Sequence, residues 1–219
     1  MAQPLPPVPE LLRIQLRTLY RFDTLGRLKA MTSDAERAAP RIAVVSGGGE
    51  RLVRTRHDIP ESACRAWLAC DSDESLRERV AGQAPIESEY RGPAYVLPPV
   101  EPPPDVVEVH LGVPLHPELL ARGWKPVERG PYVAVVRDGL AVSLCFSAAE
   151  CSEASEAGVE TATDYRGRGL VVEAVRGWAA AVQASGRLAL YSTTWENEAS
   201  QRVAHKLGAF EYGEDWHLT

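Results

Sequence analysis

Between Val159 and Val171 the sequence VETATDYRGRGLV changes its period. A β-branched run passes through Tyr165-Arg166-Gly167-Arg168-Gly169 into a stretch whose apolar positions Val171, Val175, Trp178 and Val182 recur at helical spacing, ending at Gly186. A strand, a glycine-rich turn and a helix in direct succession form a unit of α/β folds. The unit also makes an anion site. Unpaired N–H groups of the first helical turn point outward together, the helix dipole favours negative charge, and glycines let phosphate oxygens approach the backbone. The other reading of these residues is a tight exposed turn carrying two solvated arginines.

The surrounding pattern reads as strands, helix, strand, helix, strands. PYVAVVRDG and LAVSLCFSA form two strands joined at Asp138-Gly139, and a third runs near residues 155 to 162, so an antiparallel meander precedes the glycine turn. RLALYSTTW is the next strand. Asn197 can cap a helix that buries Ala199, Val203 and Leu207 before a terminal hairpin made of AFEY and DWHLT. Upstream, LPPVEPPPD (97–105) has five prolines among nine residues and cannot be the interior of a regular element. The expected organisation is a small α+β extension or domain over 1–96, a proline-rich linker at 97–105, and a mixed, mostly antiparallel sheet flanked by helices over 106–219. In the first part, residues 10 to 21 form an amphipathic helix with Arg13, Arg17 and Arg21 on its polar face. RIAVVSGGGERLVRTR reads as a hairpin, and residues 60 to 81 as helix.

A chain of 219 residues should bury on the order of 70% of its unfolded surface, enough for one large domain or one plus a small one. Hydrophobic residues at 45% and charged residues at 25% exclude global disorder. A net charge of −6 argues against sequence-independent nucleic-acid binding, which needs a concentrated basic face. No apolar run reaches membrane-span length and the first residues lack a secretory pattern, so a cytoplasmic protein without membrane partners is expected. Cys64, Cys70, Cys145 and Cys151 lack the spacing of a zinc site, and no metal is expected.

Residues 156 to 213 resemble the GNAT superfamily of acyl-CoA-dependent N-acyltransferases in the order strand, R-x-x-G-x-G/A loop, helix, strand, Asn-x-x-Ser/Ala helix and Leu-Gly. The resemblance implies that backbone amides from Arg166 through Gly167, Arg168, Gly169 and Leu170 to Val171 hold the pyrophosphate of acetyl-CoA, with Arg168 adding charge at the mouth. It implies that backbone groups of Val159 and Thr161 pair with the pantetheine arm, and that Asn197 and Ser200 lie on its other side. Val171 departs from the family's preference for Gly or Ala. Ala204 stands where many members place a tyrosine that protonates the departing thiolate. The loss is bearable, because a thiol of pKa about 8.5 needs roughly 2 kcal/mol of help at neutral pH; Ser192, Tyr212 or water could serve.

The acceptor implied is an amine of unknown size, and a homodimer is left open. A lysine-like amine with pKa near 10.4 must spend roughly 4.6 kcal/mol to become nucleophilic at neutral pH, so a positioned base is useful. Glu156, with Glu160 in reserve, is the candidate; Glu150 and Glu153 read as a solvated acidic loop, and His205 and His217 as surface or packing residues. A non-catalytic acyl-CoA-binding module is the competing expectation, kept open by Val171 and Ala204. A protein acting through its proline-rich segments is a third.

Overall fold

The computed structural model describes residues 4–104, 106–108, 113–124 and 130–219; Asp105, the last residue of the proline-rich stretch, lies outside them. The elements run α1 (Val8–Leu19), β1 (Tyr20–Phe22), β2 (Leu28–Met31), β3 (Ile42–Gly47), β4 (Glu50–Thr55), α2 (Glu61–Leu68), α3 (Asp73–Gln83) and β5 (Glu89–Val96). After the proline-rich stretch come β6 (Val106–Glu108), α4 (Pro117–Ala121), β7 (Tyr132–Arg137), β8 (Leu140–Glu150), β9 (Ala154–Thr161), α5 (Leu170–Ala184), β10 (Leu188–Ser192), α6 (Glu198–Lys206) and β11 (Phe210–Leu218).

Nine strands form one sheet in the order β4-β3-β11-β5-β10-β9-β8-β7-β6, and β1 pairs with β2 beside it. The fold is the mixed, mostly antiparallel sheet flanked by helices that the C-terminal pattern implies. Every pairing is antiparallel except β9 with β10. β5 from the N-terminal part lies between β11 and β10, so residues on both sides of the proline-rich stretch share one sheet. That stretch has no regular structure but is tied down: Leu97 N–H donates to Ala189 O at 2.9 Å, and Val100 N–H to Gln183 Oε1 at 3.1 Å.

Alternation along the strands sorts their side chains to two faces. On one face α5 buries Leu170, Ala174, Val175, Trp178 and Val182 against Val133, Val135, Cys145 and Tyr191, and Trp178 Nε1 donates to Ser147 Oγ at 3.1 Å. α2 and α3 cover the same face further along, around Trp67, Leu76, Val80 and Trp216. On the other face α1 buries Leu11, Leu12 and Leu16 over Val45, Ala94, Val96 and Leu190. Its arginines are not merely solvated: Arg17 pairs with Glu153 at 2.7 Å and fastens α1 to the turn between β8 and β9.

Three local expectations are corrected. The helix expected over 60–81 is two helices, because Ser72 caps a fresh start by accepting the Ser75 N–H at 3.2 Å. The terminal hairpin is one strand: β11 pairs with β3 on one side and β5 on the other, absorbing its irregularity as a register shift between Glu211 and Gly213. Ala199 is exposed at the start of α6 rather than buried, and Ala204 takes its place in the core.

Gly92 in β5 lies so close to the chain leaving β10 that a Cβ would stand 1.8 Å from Thr193 O and 2.6 Å from Thr194 Cα. Gly92→Ala is therefore expected to lose about 3 kcal/mol or more. Gly82→Ala, in α3 with no atom within 4 Å of the new methyl, should gain about 0.5–1 kcal/mol. Denaturant midpoints of both variants check the contrast, and equal shifts would contradict it.

Candidate active site

The site begins where two strands part. β9 and β10 are paired, in parallel, only between Ala154–Glu156 and Leu188–Leu190. Beyond that point β10 follows β5, with Ser192 opposite Ala94, while β9 stays with β8. The register of β8 shifts between Ser147 and Ala149, so Ala148 is an extra residue opposite Glu156 and Ala157. Such a bulge raises the local twist and steers β9 away from its parallel neighbour. The bond from Ala162 N–H to Val142 O, 2.9 Å, sets the antiparallel alternation. It leaves the N–H and C=O of Val159 on the edge of β9 that faces the gap.

At the mouth of the gap the chain makes a single 3-10 turn over Thr163–Tyr165 and enters α5 through Gly167 (φ 73°) and Gly169 (φ 81°). Those left-handed values are glycine territory. They turn the N–H groups of Gly167 to Val171 out of the chain's own bonding, and among the described residues none of the five has an acceptor. Across the gap Asn197 caps α6, its Oδ1 accepting the Ser200 N–H at 3.1 Å. The open cavity between them, about 250 Å³, is lined by nine of the ten residues expected to bind the cosubstrate: Val159, Thr161, Arg166, Gly167, Gly169, Leu170, Val171, Asn197 and Ser200. Arg168 does not line it; its guanidinium stands 5.3 Å over the Tyr165 ring. Thr161 is occupied locally, its N–H donating to Glu160 Oε1 at 3.0 Å and its carbonyl accepting from Arg166 Nε at 3.1 Å. Val171 borders the cavity and also packs against the core.

A second cavity, about 430 Å³, opens on the face covered by α1. It shares Val159, Tyr191, Asn197 and Ser200 with the first, so the two are chambers of one cleft. Glu156 lies in its wall, 4% exposed. Ser192 Oγ donates to Glu156 Oε1 at 2.7 Å, and Oε2 has no hydrogen-bond partner among the described residues. Burial pushes this carboxyl up to about 8 against the opposing Ser192 bond, and the negative charge of Asp215 adds to the rise. Glu160 is differently placed, held by Arg122 and Arg166 at 3.0 Å each. Glu150 and Glu153 are ion-paired to Arg187 and Arg17.

Of the candidates for the acid, Tyr212 lies elsewhere: its hydroxyl donates to Gln15 Oε1 at 2.5 Å beneath α1. Tyr191, which the sequence did not single out, joins the chambers. Its hydroxyl shares a 2.5 Å hydrogen bond with Ser200 Oγ, and burial pushes it up to about 12. The second chamber is otherwise built from residues that no motif marks, among them Tyr20, Met31, Tyr90 and Asp215. His217 joins them as a packed residue that also lines the chamber: it stacks on Tyr90 with centroids 4.9 Å apart and meets the Tyr20 hydroxyl at 3.3 Å. Alternating polar positions in DWHLT are the one signal that could have pointed to Asp215 and His217 sharing a face.

The Glu156 environment makes a stability prediction. Unfolded, this carboxyl loses its proton near 4.5, and folded near 8. Between those values the native state binds the extra proton, so Glu156 makes stability fall as pH rises through the interval, with no further loss above it. Glu156→Gln is expected to remove that fall. The variant should melt several degrees above the parent at pH 8.5 and close to it at pH 4.5, a contrast that pH-resolved melting curves read directly.

Residues 127–218 match the family model for GNAT acetyltransferases. No curated protein matches the chain. Among solved structures, one from Novosphingobium aromaticivorans assigned to the GNAT family aligns with TM-score 0.50 and 21% identity, over 61% of this chain and 65% of that one. The matched part is thus just under two thirds of that relative's length. A GCN5-related N-acetyltransferase from Kribbella flavida aligns over 96% of this chain and 93% of its own at 15% identity and TM-score 0.47. A GCN5-related N-acetyltransferase-like protein from Streptococcus suis aligns over 85% and 86% at 15% identity and TM-score 0.48. The match to the GNAT acetyltransferase model thus lies across the parted strands, the glycine turn and the Asn197 helix, in the C-terminal part of the chain.

Proposed function

We propose that the protein is an N-acetyltransferase that moves an acetyl group from acetyl-CoA directly to an amine. The observation that carries this reading is the two-chambered cleft, with five unengaged amides at one mouth and a buried, half-partnered carboxylate in the wall of the other. The amides of Gly167 to Val171 supply the donors a pyrophosphate needs, and the α5 dipole adds to them. Val159 presents its N–H to the gap, where it supports negative charge developing on the thioester oxygen.

The chemistry balances within the cleft. The cationic amine gives one proton to Glu156 Oε2, the freed nitrogen bonds to the acetyl carbon, and as the carbon–sulfur bond breaks the nitrogen sheds a second proton that balances the one taken up by sulfur. The electron pair leaves on sulfur, and the hydroxyls of Tyr191 and Ser200, which line both chambers, are placed to return a proton to it. A base with a folded value of about 8 lies closer to an amine's own than an exposed carboxylate does, which narrows the proton-transfer gap. Ala204, at the position where the family often has tyrosine, is wholly buried against α5, and Tyr191 belongs to the same core cluster. The phenol thus reaches the cleft from β10 instead of from α6.

Two measurements test the reading. Acetyl-CoA at about one hundred times its Kd should stabilise the protein by roughly 2.7 kcal/mol, and Gly169→Asp, which sets a carboxylate among the amides, should remove the shift. An undiminished shift in that variant would place the cosubstrate elsewhere. In steady-state kinetics with an accepted amine, kcat/KM should climb with pH to a plateau above about 8, reflecting the ionisation of Glu156. Glu156→Gln should lower the rate about 10² to 10⁴-fold and abolish that limb. Tight acetyl-CoA binding without turnover on any amine would instead identify a non-catalytic acyl-CoA-binding module.

A further inference from the structure

The acceptor chamber holds a second buried carboxylate with no task in the transfer. Asp215 on β11 is 1% exposed, lines the chamber, and its Oδ1 has no hydrogen-bond partner among the described residues. Among the described residues the nearest ionisable nitrogen is His217 Nδ1, 3.8 Å away, which stands beyond hydrogen-bond reach and meets Tyr20 instead. Glu156 Oε2 is likewise without a partner. Unpaired buried carboxylates are costly, and removing either partner of a buried pair leaves several kcal/mol uncompensated. Two such oxygens in one cavity mark positions where a ligand supplies the missing donors.

The sheet sets how far apart they are. Glu156 is on β9 and Asp215 on β11, with β10 and β5 between, and both side chains lie on the α1 face. Glu156 is level with Leu190 and Val96 and Asp215 with Gly92, so three strand spacings of about 4.8 Å and a four-residue offset along β5 separate the two backbones, and the side chains reach inward from both sides. The floor between them is low: Gly92 is the sheet partner of Asp215, and Ala94 the partner of Ser192. The remaining wall mixes apolar and aromatic side chains, Leu19, Met31, Tyr20 and Tyr90, with neutral polar ones such as Thr193 and Asn197. Among the described residues no Lys or Arg lines the chamber. Even a protonated His217 would leave Glu156 Oε2 unpartnered. An acceptor that carries its own carboxylate or phosphate meets no counter-charge here, whereas a second cationic nitrogen does.

We propose that the acceptor is an aliphatic amine with two cationic nitrogens and no anionic group, one nitrogen lying at Glu156 for transfer and the other held by Asp215. This rests on the acyltransferase reading for the role of Glu156, but the recognition itself is independent of the cosubstrate. Calorimetry without any acyl-CoA tests it with three probes of similar length: putrescine, butylamine and γ-aminobutyrate. Putrescine should bind at least about tenfold tighter than butylamine, a gap of about 1.4 kcal/mol, and γ-aminobutyrate more weakly than either. Asp215→Asn should shrink the putrescine-to-butylamine ratio about tenfold. A purely structural or charge-tuning role for Asp215 would move both amines together and leave the ratio intact, which overturns the proposal, as does equal or reversed preference in the parent protein. The acetyl-CoA melting shift, run in parallel, reports the acyltransferase reading separately. Diamine selectivity without the shift keeps this inference and removes that reading, and the shift without selectivity does the reverse.

Discussion

β9 and β10 stay paired for only three residues on each side and then separate, and the rest of the site is arranged around that separation. Had the parallel ladder continued, the N–H and C=O of Val159 would be spent on β10, and the space between the strands would be filled by their own side chains. The bulge at Ala148 and the pull of β5 on β10 keep the strands apart. α5 can then present its first turn at the mouth, because Trp178 and its neighbours hold the helix flat against the sheet through a bond to Ser147, one residue from the bulge. A local defect in one ladder is thereby coupled to the orientation of the glycine turn.

The N-terminal part completes the cleft instead of standing apart from it. α1 lies over β5, β10 and β9, and the chain leaving it delivers Leu19 and Tyr20 to the second chamber, with Met31 returning from β2. The Arg17–Glu153 pair secures that cover to the turn from which β9 departs. Both side chains are about two-fifths exposed, so the pair is worth little as stability and more as a positioning contact. Burying Glu156 beneath this cover is what raises its carboxyl, whereas Glu160, four residues on, is held by two arginines.

How much of this was legible in the sequence follows the reach of each interaction. Local interactions were: the glycine turn entering α5, the Asn197 cap, the β7–β8 turn at Asp138-Gly139, and the meander all depend on residues a few positions apart. The expected cosubstrate residues came together for the same reason, since nine of them sit on one continuous unit and its neighbouring cap. Arg168 fell outside because a flexible side chain found the Tyr165 ring, which no spacing rule foresees. The second chamber was not legible as a unit. Tyr20, Tyr90, Glu156, Ser192 and Asp215 are brought together by strand order alone, and β5 entering between β10 and β11 has no local signature. The same strand explains why the expected terminal hairpin is a single strand: β11 had partners on both sides and no need to fold on itself.

A crystal structure of the protein with CoA bound tests the central claim most directly. The pyrophosphate should lie within hydrogen-bond distance of the amides of Gly167 to Val171, and the pantetheine arm should run along Val159 between β9 and β10. The thiol should end where the two chambers meet, beside Tyr191 and within reach of an amine held at Glu156. CoA bound outside the parted strands, or threaded between them with its thiol turned away from the chamber that contains Glu156, would contradict it.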